Sequence, residues 1–237
     1  MSIDSIKSKI LLKYGYNIPF FKIASYLKKQ PNPIQPWNTD STFKTVTQNI
    51  QGYTLVNKSS CYNLYQLAKN TSYLKGDVAE IGVYRGGTAR LISKTLPGKN
   101  VHLFDTFEGM PQVNSSLDQH KEGDFSDTSI DAVSSYLRDC PNVVFYKGYF
   151  PETAKPIKDK KFSFVHIDVD IYRSVMDCCE FFYPRLNAGG VMVFDDYGLL
   201  SCPGAKKAVD EFFVNKNEYP FYSPTGQCFI VKQEKMR

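Results

Sequence analysis

At 237 residues, with 42% hydrophobic and 14% aromatic residues, the chain has material for one large or two small domains, and this composition excludes a disordered protein. The formal net charge is +5, and the excess sits in residues 1–30, where Lys7, Lys9, Lys13, Lys22, Lys28 and Lys29 face one acid, Asp4. The near-neutral remainder excludes a broad nucleic-acid surface, and no run approaches the roughly 18 apolar residues of a membrane span.

In chain order, residues 1–30 read as a helix, with Ile3, Ile6, Ile10 and Tyr14 near one face and an interruption at Asn17-Ile18-Pro19. This basic segment is expected to pack on its own domain or on a partner protomer in a homo-oligomer; the alternative is weak contact with an anionic membrane surface. The PNPIQPW stretch places three prolines in six residues and predicts a non-helical connector over 31–52, so 1–52 reads as a lid or oligomerisation segment and 53–237 as the main domain. The second half of 53–69 reads as a helix. Strands follow over 77–84, 100–107, 142–149, 162–170 and 189–197, alternating with helices over 86–96, 128–138, 172–186 and 204–215. A polar loop fills 108–126, and 221–232 reads as two strands around Pro224-Thr225-Gly226. Alternating helices and short apolar strands predict an α/β fold, Rossmann-like, with a mostly parallel sheet, helices on both faces and an antiparallel edge hairpin.

Six cysteines (Cys61, Cys140, Cys178, Cys179, Cys202, Cys228) lack CxxC and CxxxC spacing. They read as reduced thiols of a cytoplasmic protein. The three histidines, His102, His120 and His166, are scattered, so no zinc set is expected.

Ligands of open parallel sheets bind beyond the carboxyl ends of the strands. Each strand here delivers polar or glycine-rich residues to that rim: Glu80, Gly82, Gly86 and Gly87 from EIGVYRGG; Asp105, Thr106 and Phe107 from DTFEG; Gly148 and Phe150 from KGYF; Asp168 and Asp170 from DVD; Asp195 and Asp196 from DDY. The glycine turn between strand and helix, with an acid ending the next strand, suits an adenosine-type ligand, because a carboxylate accepts two hydrogen bonds from a ribose. The turn lacks G-x-G-x-x-G spacing, and Glu80 and Glu108 put negative charge nearby, which favours a cationic S-adenosylmethionine over a pyrophosphate. The aspartates form an oxygen-rich set whose repulsion a divalent cation such as Mg²⁺ relieves. His166 alternates with Asp168 and Asp170 and reads as a structural histidine within reach of that set. By spacing alone, Asp168 and Asp170 are interchangeable.

Taken as an ordered set, EIGVYRGG, LFDTFEGMP, GDFSDTS, KGYFPET, HIDVDIYRS and VFDDYG resemble the macrocin O-methyltransferase family from about residue 53 onward. The resemblance implies an enzyme that transfers a methyl group from S-adenosylmethionine to a sugar hydroxyl with Mg²⁺. The acceptor would be a small molecule or glycan with adjacent hydroxyls. It implies Asp168, Asp195 and Asp196 as metal ligands and Asp170 as general base. The cofactor would meet Thr54, the turn Glu80, Gly82, Tyr84, Gly86 and Gly87, then Asp105, Thr106, Phe107, Asp124, Phe125, Phe150 and Asp168. Three features depart from the family pattern: Tyr84 where tryptophan is usual, His166 where arginine is common, and a poor match over 1–52. A catechol-type methyltransferase, a nicotinamide dehydrogenase and a non-catalytic cofactor-binding scaffold are the alternatives.

Overall fold

A computed structural model describes residues 35–111 and 113–234. The expected N-terminal helix and its docking lie outside that range. The chain divides into two units, Met1–Thr39 and Asp40–Arg237. In the first, a 3-10 turn covers Pro36–Asn38. The second begins before Tyr53, because the expected connector contains a short helix, α1 (Ser41–Val46), which Asp40 caps by accepting a hydrogen bond from Phe43 N at 2.8 Å. Phe43 is fully buried and packs edge-on against Tyr62 of α2 (Lys58–Asn70).

The remaining strands and α-helices run β1 (Asp77–Ile81), α3 (Gly87–Thr95), β2 (Val101–Asp105), α4 (Ile130–Tyr136), β3 (Val143–Lys147), β4 (Phe162–Ile167), α5 (Tyr172–Phe182), β5 (Leu186–Phe194), α6 (Pro203–Phe213), β6 (Phe221–Tyr222) and β7 (Cys228–Val231), with a 3-10 helix at Glu152–Ile157 before β4. The seven-stranded sheet has the order β3-β2-β1-β4-β5-β7-β6. Pairs among β1 to β5 are parallel; β7 is antiparallel to β5 and to β6. The expected α/β fold with an antiparallel edge is therefore present. Chain order reverses between β1 and β4, so a crevice opens beyond Ile81 and Ile167.

Burial explains the strand pattern. All six residues of β4 are buried, as a strand covered on both faces requires. One face, with Ala79, Ile81, Val165, Ile167, Met192 and Phe194, packs on Val175, Cys178 and Phe182 of α5 and Val209 and Phe213 of α6. All six cysteines are buried and free.

Several boundaries differ from the sequence reading. The helix expected over 172–186 ends at Phe182, and a 3-10 turn covers Tyr183–Arg185, because Pro184 has no amide hydrogen to continue the ladder. β4 stops at Ile167 and β5 at Phe194, so all four aspartates lie beyond the strands. Strand alternation therefore does not govern Asp168 and Asp170, and Asp170 adopts φ +59°.

Candidate active site

A cavity of about 310 Å³ opens at the crevice between β1 and β4. The expected residues Thr54, Gly82, Tyr84, Asp105, Thr106, Phe125, Phe150, Asp168, Asp170, Asp195 and Asp196 all line it. Glu80, Gly86, Gly87, Phe107 and Asp124 are not among the lining residues.

The β1 turn depends on glycine. Gly82 has φ +84°, and a Cβ there would stand 1.7 Å from the Asp168 carbonyl oxygen. Only a bare Cα lets the ends of β1 and β4 approach this closely. Gly87 serves the backbone of another segment: its N–H donates to Tyr53 O at 2.8 Å, and a Cβ would meet Tyr53 O at 2.7 Å and Thr54 Cβ at 2.8 Å. The glycine thus brings Thr54 to the cavity rather than lining it.

Asp105 locks the same turn. Its Oδ2 accepts from Val83 N (2.7 Å) and Tyr84 N (2.9 Å), and its Oδ1 accepts from Phe107 N (2.6 Å). A carboxylate offers about four lone-pair sites, so acceptor capacity toward the cavity remains on Oδ1. Tyr84, Phe125 and Asp170 line the cavity with φ values of +50°, +63° and +59°. Such positions cost roughly 1–3 kcal/mol each for non-glycine residues and cluster where a site fixes them.

Glu80 is fully buried, and the alternation of β1 turns it away from the cavity onto His166, whose Nδ1 lies 2.9 Å from Glu80 Oε1. His166 Nε2 is 3.6 Å from Asp195 Oδ1, beyond hydrogen-bonding reach but within ion-pair distance. Burial pushes the imidazole pKa down, but Asp195 and Glu80 outweigh it and raise it well above the usual histidine range. His166 is therefore both buried and part of the acidic site.

The aspartates separate into two groups. Ligand atoms of Asp168, Asp195 and Asp196 lie within 4.8 Å of one another. Burial, then the charge of Asp195, pushes the Asp168 pKa well up; burial, then Asp170 and Asp168, does the same to Asp196. Such a partly buried, mutually repelling oxygen set fits a hard divalent cation. Gln227 Nε2 donates to Asp195 Oδ1 at 2.6 Å and orients that carboxylate.

Asp170 adjoins this set but has other side-chain partners. Its backbone N–H donates to Asp196 Oδ2 at 2.8 Å, while its side chain meets His120 and Cys202. This corrects the expectation that the histidines and cysteines form no set: His120, Asp170 and Cys202 present ligand atoms within 4.8 Å of one another. Loop 108–126 brings His120 there, because Asp118 Oδ1 accepts from Tyr172 N (2.8 Å) at the start of α5 and Met110 N donates to Asp124 O (2.7 Å). Separations of 50 and 32 residues hid the set from the sequence. Asp124 does not touch the cavity; its Oδ2 lies 3.2 Å from His120 Nδ1. Tyr149 and Ser174 also line the cavity; both lie inside the KGYFPET and HIDVDIYRS motifs, but the sequence reading singles out neither.

Comparison with known proteins places the chain by sequence and by fold. Demethyldecarbamoylnovobiocin O-methyltransferase of Streptomyces niveus is 26% identical over 197 residues, covering 73% of this chain and 74% of that one. A tetracenomycin-C rhamnosyl 4'-O-methyltransferase of Streptomyces olivaceus is 28% identical over 146 residues, 55% of this chain and 56% of its own. The solved structure of the O-methyltransferase NovP superposes with a TM-score of 0.69 at 24% identity, covering 77% of this chain and 83% of that one, which shows a shared fold. The profile of the family described as Macrocin-O-methyltransferase (TylF) matches residues 20–220, so the similarity reaches into the segment expected to match poorly. The chain is an S-adenosylmethionine-dependent O-methyltransferase and belongs to the macrocin O-methyltransferase family.

Proposed function

We propose that the protein methylates a hydroxyl of a sugar carried on a small molecule or glycan, with S-adenosylmethionine as donor and Mg²⁺ as required metal. One observation carries the reading: three carboxylates, Asp196 buried and Asp168 and Asp195 half-buried, gather beyond the ends of β4 and β5, while a fourth, Asp170, stands beside them on the same cavity. The rhamnosyl group in the name of the Streptomyces olivaceus relative supports a sugar acceptor.

When bound, the two groups supply an electrophilic methyl and a Lewis acid that lowers the pKa of a coordinated hydroxyl. Asp168, Asp195 and Asp196 would hold the metal. The turn at Gly82–Tyr84, Thr54, Asp105, Thr106, Phe125 and Phe150 would hold the methyl donor. Asp170 would accept the hydroxyl proton as the acceptor oxygen takes the methyl group, with S-adenosylhomocysteine and a methyl ether as products. Its backbone bond to Asp196 keeps it oriented without spending its side chain. Its pKa is raised, first by burial, which makes it a stronger base than an exposed carboxylate. An acceptor with adjacent hydroxyls would suit a hard cation, which prefers oxygen ligands.

The test is methyl transfer from labelled S-adenosylmethionine to nucleotide sugars, glycosides and a catechol, with Mg²⁺ or with excess EDTA. Glycoside methylation that stops in EDTA and returns with Mg²⁺ is expected. Full turnover in EDTA removes the metal role, and preference for the catechol removes the sugar.

A further inference from the structure

The geometry points to a second metal site, formed by His120, Asp170 and Cys202, that takes Zn²⁺-class ions and is separate from the three-carboxylate set. The three ligand atoms form a nearly equilateral triangle. Cys202 Sγ is 3.6 Å from His120 Nε2 and 3.5 Å from Asp170 Oδ1, and His120 Nε2 is 3.5 Å from Asp170 Oδ1. Tetrahedral zinc with bonds of about 2.3 Å to sulfur and about 2.0–2.2 Å to nitrogen and oxygen needs edges of roughly 3.3–3.6 Å. The triangle is thus one face of a zinc tetrahedron before any ion enters. The Cys202 thiol reaches both partners at sulfur hydrogen-bond distances, whereas His120 Nε2 and Asp170 Oδ1 stand at ion-pair distance, beyond an ordinary N–H···O bond of about 2.7–3.2 Å.

The orientation of His120 is a second, independent indication. Its Nδ1 lies 3.2 Å from Asp124 Oδ2, and that oxygen also accepts from Lys121 N at 2.9 Å. A metal-binding histidine characteristically donates its other ring N–H to a carboxylate, which aims the free nitrogen lone pair at the ion. With the Nδ1 proton donated to Asp124, Nε2 points its lone pair at Cys202 and Asp170.

Donor chemistry separates the two sites. Three carboxylates suit a hard, oxygen-preferring cation; imidazole, thiolate and one carboxylate suit zinc. His120 and Asp170 line the cavity, which gives an ion its route in, and Cys202 is buried behind them. Binding displaces the thiol proton to solvent. It also occupies the Asp170 carboxylate, so zinc inhibits methyl transfer; this last consequence rests on the proposed role of Asp170 as base.

The experiment titrates the full chain with Co²⁺ in excess Mg²⁺ and reads thiolate-to-cobalt charge-transfer absorption, followed by displacement with Zn²⁺. One equivalent with a thiolate band is expected. Cys202→Ser and His120→Ala abolish the band, Asp124→Asn weakens Zn²⁺ affinity about 10–100-fold, and Cys61→Ser, altering the other cysteine near the carboxylates, keeps the band. Circular dichroism of each variant identifies any that fails to fold. No band in the wild type, or a band lost with Cys61→Ser but kept in Cys202→Ser, overturns the site. Zinc that binds through Cys202 yet leaves turnover untouched upholds the site and refutes Asp170 as the base.

Discussion

Replacing Gly82 with alanine tests whether the approach of β1 to β4 builds the site. The added Cβ would sit 1.7 Å from the Asp168 carbonyl oxygen and 2.7 Å from its carbonyl carbon. Both are backbone atoms, so no side-chain rotation relieves the clash, and the strand ends must part by more than about 1 Å in a close-packed interior. That movement pulls Asp168 N from Ile81 O, now 2.9 Å apart, beyond hydrogen-bonding range. Overpacking costs about 1–3 kcal/mol and the left-handed backbone at φ +84° about 1–2 kcal/mol more, so about 2–5 kcal/mol is expected. At about 2–4 °C per kcal/mol for a chain of this size, the melting temperature falls by roughly 4–20 °C. Misplacing Asp168 by this distance lowers turnover at least about 100-fold. Thermal unfolding followed by circular dichroism, with a methyl-transfer assay well below the melting point, measures both. A variant with wild-type melting temperature and turnover refutes the claim that this contact positions Asp168.

Asp170→Asn is expected to bind S-adenosylhomocysteine as the wild type does in calorimetry but to lose about 10²–10⁴-fold in turnover, as removal of a general base should; loss of binding with turnover per bound enzyme retained contradicts that role. Phe182→Ala removes a fully buried ring that stacks on Phe150 at 5.4 Å and meets Phe162 edge-on at 5.1 Å, and is expected to cost about 3–5 kcal/mol in denaturant unfolding. Because Phe150 lines the cavity, cofactor affinity should fall as well. At Asp77, burial pushes the carboxyl pKa up, but Lys160 and His102 outweigh it and hold it below the ordinary value. A depressed folded-state pKa stabilises the fold above the unfolded value of about 3.9, and this contribution is lost as pH falls through the folded value. Asp77→Asn should therefore be destabilised at pH 7, with the gap to wild type closing below about pH 4; a constant gap across that range contradicts the linkage.

Local patterns carried most of the architecture. The unbroken apolar run of β4 required cover on both faces, and alternation with helices required parallel strands. Pro184 marked the end of α5, although the sequence reading ran the helix past it. The motif set was informative because its members are local and ordered: EIGVYRGG and VFDDYG each keep their meaning without a distant partner. The motif resemblance names Glu80, Gly87 and Asp124; they lie outside the cavity lining, because adjacency along a chain does not fix which way a side chain points.

The sequence by itself determined the sheet, the glycine turn and the presence of four acids at two strand ends. Only the tertiary structure decided how those acids divide. Spacing left Asp168 and Asp170 equivalent, because period-2 alternation applies only while a strand lasts, and β4 ends at Ile167. Beyond it, the left-handed turn at Asp170 sends its carboxylate to His120 and Cys202, while Asp168 stays with Asp195 and Asp196. That separation arises because loop 108–126 is pinned to the start of α5 through Asp118, a long-range contact with no local signature in the chain.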